Sequence, residues 1–128
     1  MALPKKVKRG GSYYKGYELI VSTAAGDYTL DMTETSGAVA NSMSIIPDAY
    51  GTGDTFTVSH LSSDTTKTVA VIADSIYNPG ANVPTLFDFP AYEQMDANEV
   101  LRLVYTNTAT VALNVHVIVE YGGIRKTA

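Results

Sequence analysis

The stretch that most constrains this chain lies near its C-terminal end. From 111 to 121, VALNVHVIVEY, the side chains Val111, Leu113, Val115, Val117, Val119 and Tyr121 fall at every second position. Ala112, Asn114, His116, Ile118 and Glu120 fill the positions between them. Period two is the spacing of a strand with one buried face, whereas a helix would scatter the same residues around its circumference. Upstream, Val100, Leu101, Leu103, Val104 and Tyr105 form a run of β-formers, and Thr106–Thr110, TNTAT, is polar with an Asn suited to a turn. The pattern predicts an antiparallel hairpin over 99–121. A lone hairpin is marginal in water, so the rest of the chain must cover its apolar face.

Earlier segments supply the cover. Tyr17–Thr23 reads as a strand, Ala24–Asp27 as a turn and Tyr28–Met32 as the returning strand of a second hairpin. Thr33–Ala40 is small and polar, a loop or a weak edge strand. Ser42–Ile46 is a short strand halted by Pro47, and Asp48–Asp54, with Gly51 and Gly53, is a loop. Thr55–Leu61 alternates, with Phe56, Val58 and His60 on one face. After the turn residues Ser62–Thr65, the Val and Thr content of Thr66–Tyr77 predicts a long strand. Asn78-Pro79-Gly80 breaks it. Residues 81–98 read as a long connection, with room for a short strand at Thr85–Phe89 and one helical turn in Tyr92–Asn98. About eight strands, no long helix and no repeat predict an all-β protein. The expected architecture is a single antiparallel β-sandwich, jelly-roll-like.

Charge divides the chain unevenly. Lys5, Lys6, Lys8, Arg9 and Lys15 give the first fifteen residues a charge of +5 with no acid. Four of the nine basic residues are left to face all thirteen acids, a net −9 on the remainder. We therefore expect a flexible basic N-terminal arm over 1–16, a sandwich domain over 17–123 and a short tail over 124–128. Glycines Gly10, Gly11 and Gly16 punctuate the arm, and Lys5, Lys6, Lys8, Arg9, Tyr13, Tyr14 and Lys15 are its candidate partner-binding residues. Pro4–Arg9 is also similar to basic nuclear-import motifs, a run common by chance. The acidic body argues against a nucleic-acid-binding face, because phosphate affinity rests on Lys and Arg. No run approaches the length of a membrane-spanning helix, and no apolar region follows the basic start as a secretory signal requires.

The sequence offers little chemistry. With no cysteine there can be no disulfide, thiolate metal site or cysteine nucleophile. The only histidines, His60 and His116, sit inside expected strands, with no metal-ligand spacing around them. No GxSxG elbow is present, and Gly51-Thr52-Gly53 lacks the helix that a phosphate loop needs. Asp27 with Asp31, and Asp48 with Asp54, are paired carboxylates at expected turns, where acids usually cap backbone groups. We expect no enzyme, no cofactor and no metal. The nine tyrosines could form a sugar-binding platform, but they suit contacts between subunits better.

One resemblance goes further. ADSIYNPGANVPTLFDFP through LRLVYTNTATVALNVHVIVEYGG, about residues 54–123, resembles small virion proteins of tailed bacteriophages, in particular the jelly-roll decoration, or cement, proteins of the capsid. The shared features are the Asn- and Thr-rich turn, the long valine strand ending in Glu-Tyr-Gly, and the absence of cysteine and helix. The resemblance implies homotrimers on the outer surface of the virion head, bound to the major capsid protein and free of cofactor and catalysis. The alternative is a carbohydrate- or receptor-binding sandwich module of a tail or head fibre.

Overall fold

The computed structural model describes residues 12–122, with the side chains of all of these but 12 and 90–92. Eight strands make up the fold: β1 (Ser12–Val21), β2 (Gly26–Thr33), β3 (Ala38–Pro47), β4 (Thr55–Leu61), β5 (Thr68–Tyr77), β6 (Thr85–Met95), β7 (Val100–Asn107) and β8 (Leu113–Gly122). They form two four-stranded antiparallel sheets, β1-β8-β3-β6 and β2-β7-β4-β5. Only β4 and β5 follow one another within a sheet, and every other connection crosses from one sheet to the other. This is the strand order of a jelly roll, a sandwich of two interlocked Greek keys. The all-β sandwich expected from the sequence is the fold observed.

The alternation that announces β8 is kept in three dimensions. Leu113, Val115, Val117, Val119 and Tyr121 are buried, and His116 and Ile118 face outward. In β4, Phe56, Val58 and His60 are buried on the core face. Met32 from β2, Met43 and Ile45 from β3, and Leu101, Leu103 and Tyr105 from β7 complete the core between the sheets.

Partnerships differ from the local expectation. β7 and β8 do not form a hairpin: β7 pairs with β2 and β4, while β8 pairs with β1 and β3 in the opposite sheet. The expected β1–β2 hairpin is likewise absent, since these strands also lie in different sheets. Each strand has one apolar face, and an arch across the core buries that face as well as a flat hairpin does. The pattern fixes which face is buried and leaves the partner open.

Boundaries move for identifiable reasons. β1 starts at Ser12, so Tyr13, Tyr14 and Lys15 stand in a strand paired with β8 instead of in the arm expected over 1–16. Residues 1–11 and 123–128 lie outside the described residues. The segment from Ala38, read as loop or weak edge, belongs to β3, the inner strand between β8 and β6. The helical turn expected in Tyr92–Asn98 is instead the continuation of β6 to Met95. Pro90 is tolerated there because β6 is an edge strand, bonded only to β3. The β3 ladder also shifts register between Ala40 and Ser42, and residues 89–92 fall in the resulting gap between Asp88↔Ser42 and Glu93↔Ala40. Among the described residues no helix is long and apolar enough to cross a membrane.

Candidate functional site

The described part of the candidate binding segment is the start of β1. Alternation sends Tyr13, Lys15 and Tyr17 to one side of the strand and Tyr14 and Gly16 to the other. The Tyr13 ring packs on buried Tyr121 with centroids 5.5 Å apart. Its hydroxyl donates to Glu34 Oε1 at 2.7 Å, while Lys15 Nζ reaches Glu34 Oε2 at 2.5 Å. Glu34 follows β2, so these bonds tie the first strand of one sheet to the connection that leaves the other. Burial pushes the Glu34 carboxyl upward, but the hydrogen bonds from Lys15 and Tyr13 outweigh it and hold the group below its ordinary value. Burial, and then the facing carboxylate, pushes the Tyr13 hydroxyl up to about 12. Deeper in, Tyr17 and Tyr121 share a hydrogen bond of 3.1 Å between their hydroxyls. Tyr14, in contrast, is 71% exposed on the outer face. Lys5, Lys6, Lys8 and Arg9 lie outside the described residues.

Two clusters absent from the sequence reading organise the ends of the sandwich. At the end formed by the β1–β2, β3–β4, β5–β6 and β7–β8 connections, Asp54 is fully buried. Its Oδ2 accepts from the Tyr105 hydroxyl at 2.7 Å. Its Oδ1 accepts from the Thr108 amide at 2.7 Å, the Thr108 hydroxyl at 3.0 Å and the Ala109 amide at 2.8 Å. Burial raises the Asp54 carboxyl, yet the Tyr105 bond and the two amides outweigh it, so the group is held below its ordinary value. Asn78 donates to Tyr105 Oη at 2.9 Å and to the Ala49 carbonyl at 3.1 Å, and receives the Gly80 amide at 2.9 Å. Asn107 closes the same end by donating to the carbonyls of Ser22 and Ala24.

At the opposite end His60 is 1% exposed. Its Nδ1 lies 2.5 Å from Glu93 Oε2 on β6, and its Nε2 lies 2.8 Å from Glu99 Oε1. This clasp joins the two sheets. Glu99 also accepts the Asp96 amide at 2.9 Å; that bond and His60 together hold its carboxyl below its ordinary value against the upward push of burial. Two sequence signals pointed to these clusters: Asp54 is an acid at an expected turn, where acids cap backbone groups, and His60 is a polar residue on a buried face in register with Phe56 and Val58. A buried polar group must find partners, but the sequence does not say which.

These groups are engaged with one another and do not converge on an open cleft. Among the described residues no three His, Asp or Glu side chains are arranged to hold a metal ion. Asp27 and Asp31, considered as a carboxylate pair, are exposed on β2 and point to β7: Asp31 takes a two-pronged bond from Arg102 at 2.7 and 2.9 Å, and Asp27 accepts from Thr106. His116 is exposed, 3.7 Å from Glu18. What the arrangement can do is hold loops, present faces and bind.

No protein-family model matches this chain, and no curated protein sequence matches it. Among solved structures, the chain is similar to infectious bursal disease virus, Gx strain, at 12% identity and a TM-score of 0.42, over 91% of this chain and 37% of that one. It is similar to the extra small virus particle of the prawn Macrobrachium rosenbergii at 12% identity and a TM-score of 0.33, over 87% of this chain and 79% of that one. It is also similar to an exo-beta-1,3-galactanase from Phanerochaete chrysosporium at 17% identity and a TM-score of 0.36, over 86% of this chain and 29% of that one. The chain thus spans little more than a third of the first of these.

Proposed function

We propose that this chain is a virion structural protein, a decoration or cement protein that binds the outer surface of a phage head and stabilises it. One observation carries the reading: the eight strands take the jelly-roll order that the sequence resemblance implies, and the buried ionisable side chains are spent on locking its loops. Among the described residues, Asp54 and His60 are engaged with neighbouring side chains and backbone, which supports a structural role. The partner is the major capsid protein, the working form is a homotrimer on the capsid surface, and the basic arm with Tyr13, Tyr14 and Lys15 at its root is the attaching segment. Contacts to several shell subunits at once would give avidity without catalysis. The test is co-sedimentation of the intact protein with undecorated capsids. Binding that saturates on the shell and weakens as salt rises is expected, since exposed charges are screened beyond about 8 Å at physiological salt. A protein that stays in the supernatant at every salt concentration overturns the reading.

A second reading, a carbohydrate- or receptor-binding module, is favoured by one feature. Tyr50 and Tyr77 are 52% and 69% exposed and flank the Asn78–Ala49 hydrogen bond, placing two aromatic rings at one end of the sandwich. Saccharide-induced shifts at these two residues, lost in Tyr77→Ala, would select it.

A further inference from the structure

Each sheet ends in two edge strands, and a bare edge invites a further strand unless something guards it. β6 carries Pro90, and its ladder with β3 shifts register. β5 presents Val69, Val71 and Tyr77 to solvent, but its ladder with β4 breaks register three times. β2 is regular, but its outward positions are Asp27, Thr29, Asp31 and Thr33, with no apolar surface to bury. β1 has none of these devices. Its ten residues pair with β8 without a register shift, and it contains no proline. Its two charged side chains are already engaged: Lys15 by Glu34, and Glu18 by His116 on β8, 3.7 Å away.

Among the described residues β1 bonds to β8 alone. In an antiparallel ladder every second residue turns its N–H and C=O away from the neighbour, so half of the β1 backbone groups point along the open edge. The outer face of the strand reads Tyr14, Gly16, Glu18, Ile20. Tyr14 and Ile20 are 71% and 72% exposed. They stand equally far on either side of Tyr17, a spacing with a two-fold centre.

Residues opposed in an antiparallel pair share a face, so a two-fold register of β1 on itself must be centred on a residue. A centre at Lys15 or Glu18 opposes like charges, and one at Gly16 sets Tyr14 against the partner's Glu18. A centre at Tyr17 sets Tyr14 against the partner's Ile20, Ile20 against the partner's Tyr14, and Gly16 against the partner's Glu18. An aromatic–aliphatic pair is thereby made twice, and no charge meets its like. We propose that β1 pairs antiparallel with β1 of a second copy about this centre, joining two β1-β8-β3-β6 sheets into one. The contact is isologous, and each strand completes the edge of the other. It forms in the free protein and does not rest on the capsid reading. The surfaces away from β1 stay open to a three-fold contact.

Sedimentation of the full-length protein over a concentration series reads the pairing. We expect a monomer–dimer equilibrium that strengthens with salt, because both copies carry a net charge of −4. Ile20→Lys, at a solvent-facing position, should keep the melting temperature and lose the dimer at concentrations where the parent is paired. Val71→Lys on β5 is the control and should pair like the parent. The chain has no cysteine, so the register can be trapped. Tyr14→Cys and Ile20→Cys chains, mixed and oxidised in air, should give a disulfide-linked dimer. Either variant alone should link far less, because its two thiols would stand roughly 20 Å apart. A monomer at every concentration overturns the proposal and leaves the edge to another strand, from this chain's own first residues or from a different protein. So does a dimer lost in Val71→Lys and kept in Ile20→Lys, or linkage as strong in the single variants as in the mixture.

Discussion

Tyr105 donates its hydroxyl to Asp54 across 2.7 Å at a point where neither side chain reaches solvent. The tyrosine comes from β7 in the middle of the second sheet, and the aspartate from the loop before β4. Through Asp54 the bond extends to Thr108 and Ala109, and through Asn78 to Ala49. Three connections, β3–β4, β5–β6 and β7–β8, are thereby held by one buried network, which counts for more than its separate bonds because each orients the next.

Tyr105→Phe keeps the ring and deletes one oxygen. It leaves a buried carboxylate oxygen and the Asn78 amide each short of a partner, and should lower stability by about 1–3 kcal/mol. Urea denaturation measures it. An unchanged midpoint would mean that water replaces the hydroxyl in the core.

The pH dependence of this network has a definite sign. The folded state holds the Asp54 carboxyl below its ordinary value, so the stability it contributes is present above the usual carboxylate range and is lost as pH falls through the lowered folded value. Asp54→Asn should be less stable than the native chain at neutral pH and should lose less on acidification. Parallel acid limbs for the two proteins would count against this assignment.

Gly51 is needed for the same reason. A Cβ at residue 51 would stand 2.0 Å from Asp54 Oδ2 and 3.1 Å from the Tyr105 hydroxyl. Gly51→Ala therefore forces the carboxylate away from its donors, and overpacking of this kind costs about 1–3 kcal/mol. Gly16→Ala, whose Cβ meets open space, is the control and should melt close to the native protein. Equal melting temperatures for the two variants would contradict the packing described here.

The His60 clasp gives a fourth test. His60→Leu removes the shared partner of Glu93 and Glu99, leaving two mostly buried carboxylates without it. The loss should be about 3 kcal/mol, the lower end of the range for breaking a buried pair, since both glutamates keep some exposure. A variant unfolding at the same guanidinium concentration as the parent would show that the clasp adds nothing to the union of the sheets.

Strand β8 offers the sharpest contrast between neighbours. Val117 is 0% exposed and His116 is 52% exposed at its side chain. Val117→Asp places an unpaired charge in the core and should cost on the order of 4 kcal/mol or more, whereas His116→Ala should stay within about 0.5 kcal/mol. Calorimetry on the pair checks the register of the strand. A stable Val117→Asp protein would place that side chain outside.

Much of this architecture was legible in the residues. The alternation in 111–121 and in Thr55–Leu61 identifies strands and their buried faces without reference to any partner, because side-chain direction in a strand is a local property. The absence of a long helical pattern and the frequency of turn residues carry the sandwich class. At the candidate site, the local charge of the arm was visible, but the strand that Tyr13, Tyr14 and Lys15 join was not. Pairing with β8 spans more than a hundred residues of sequence and leaves no mark in the short, glycine-punctuated segment itself.

Partners were the property of the whole molecule. Nothing in Thr106–Thr110 distinguishes a turn that folds β8 back beside β7 from an arch that carries it to the opposite sheet, since both bury the same valines. The choice is made where β1 and β3 flank β8, and where Asp54, fifty-four residues away from Thr108, supplies acceptors for the amides of the arch. The same holds for His60, which the sequence placed on a core face and the tertiary structure placed between two glutamates. Side-chain chemistry and backbone direction act over a few residues and can be read along the chain. Desolvation and hydrogen-bond completion act between segments remote in sequence, and only the assembled sandwich determines which of them meet.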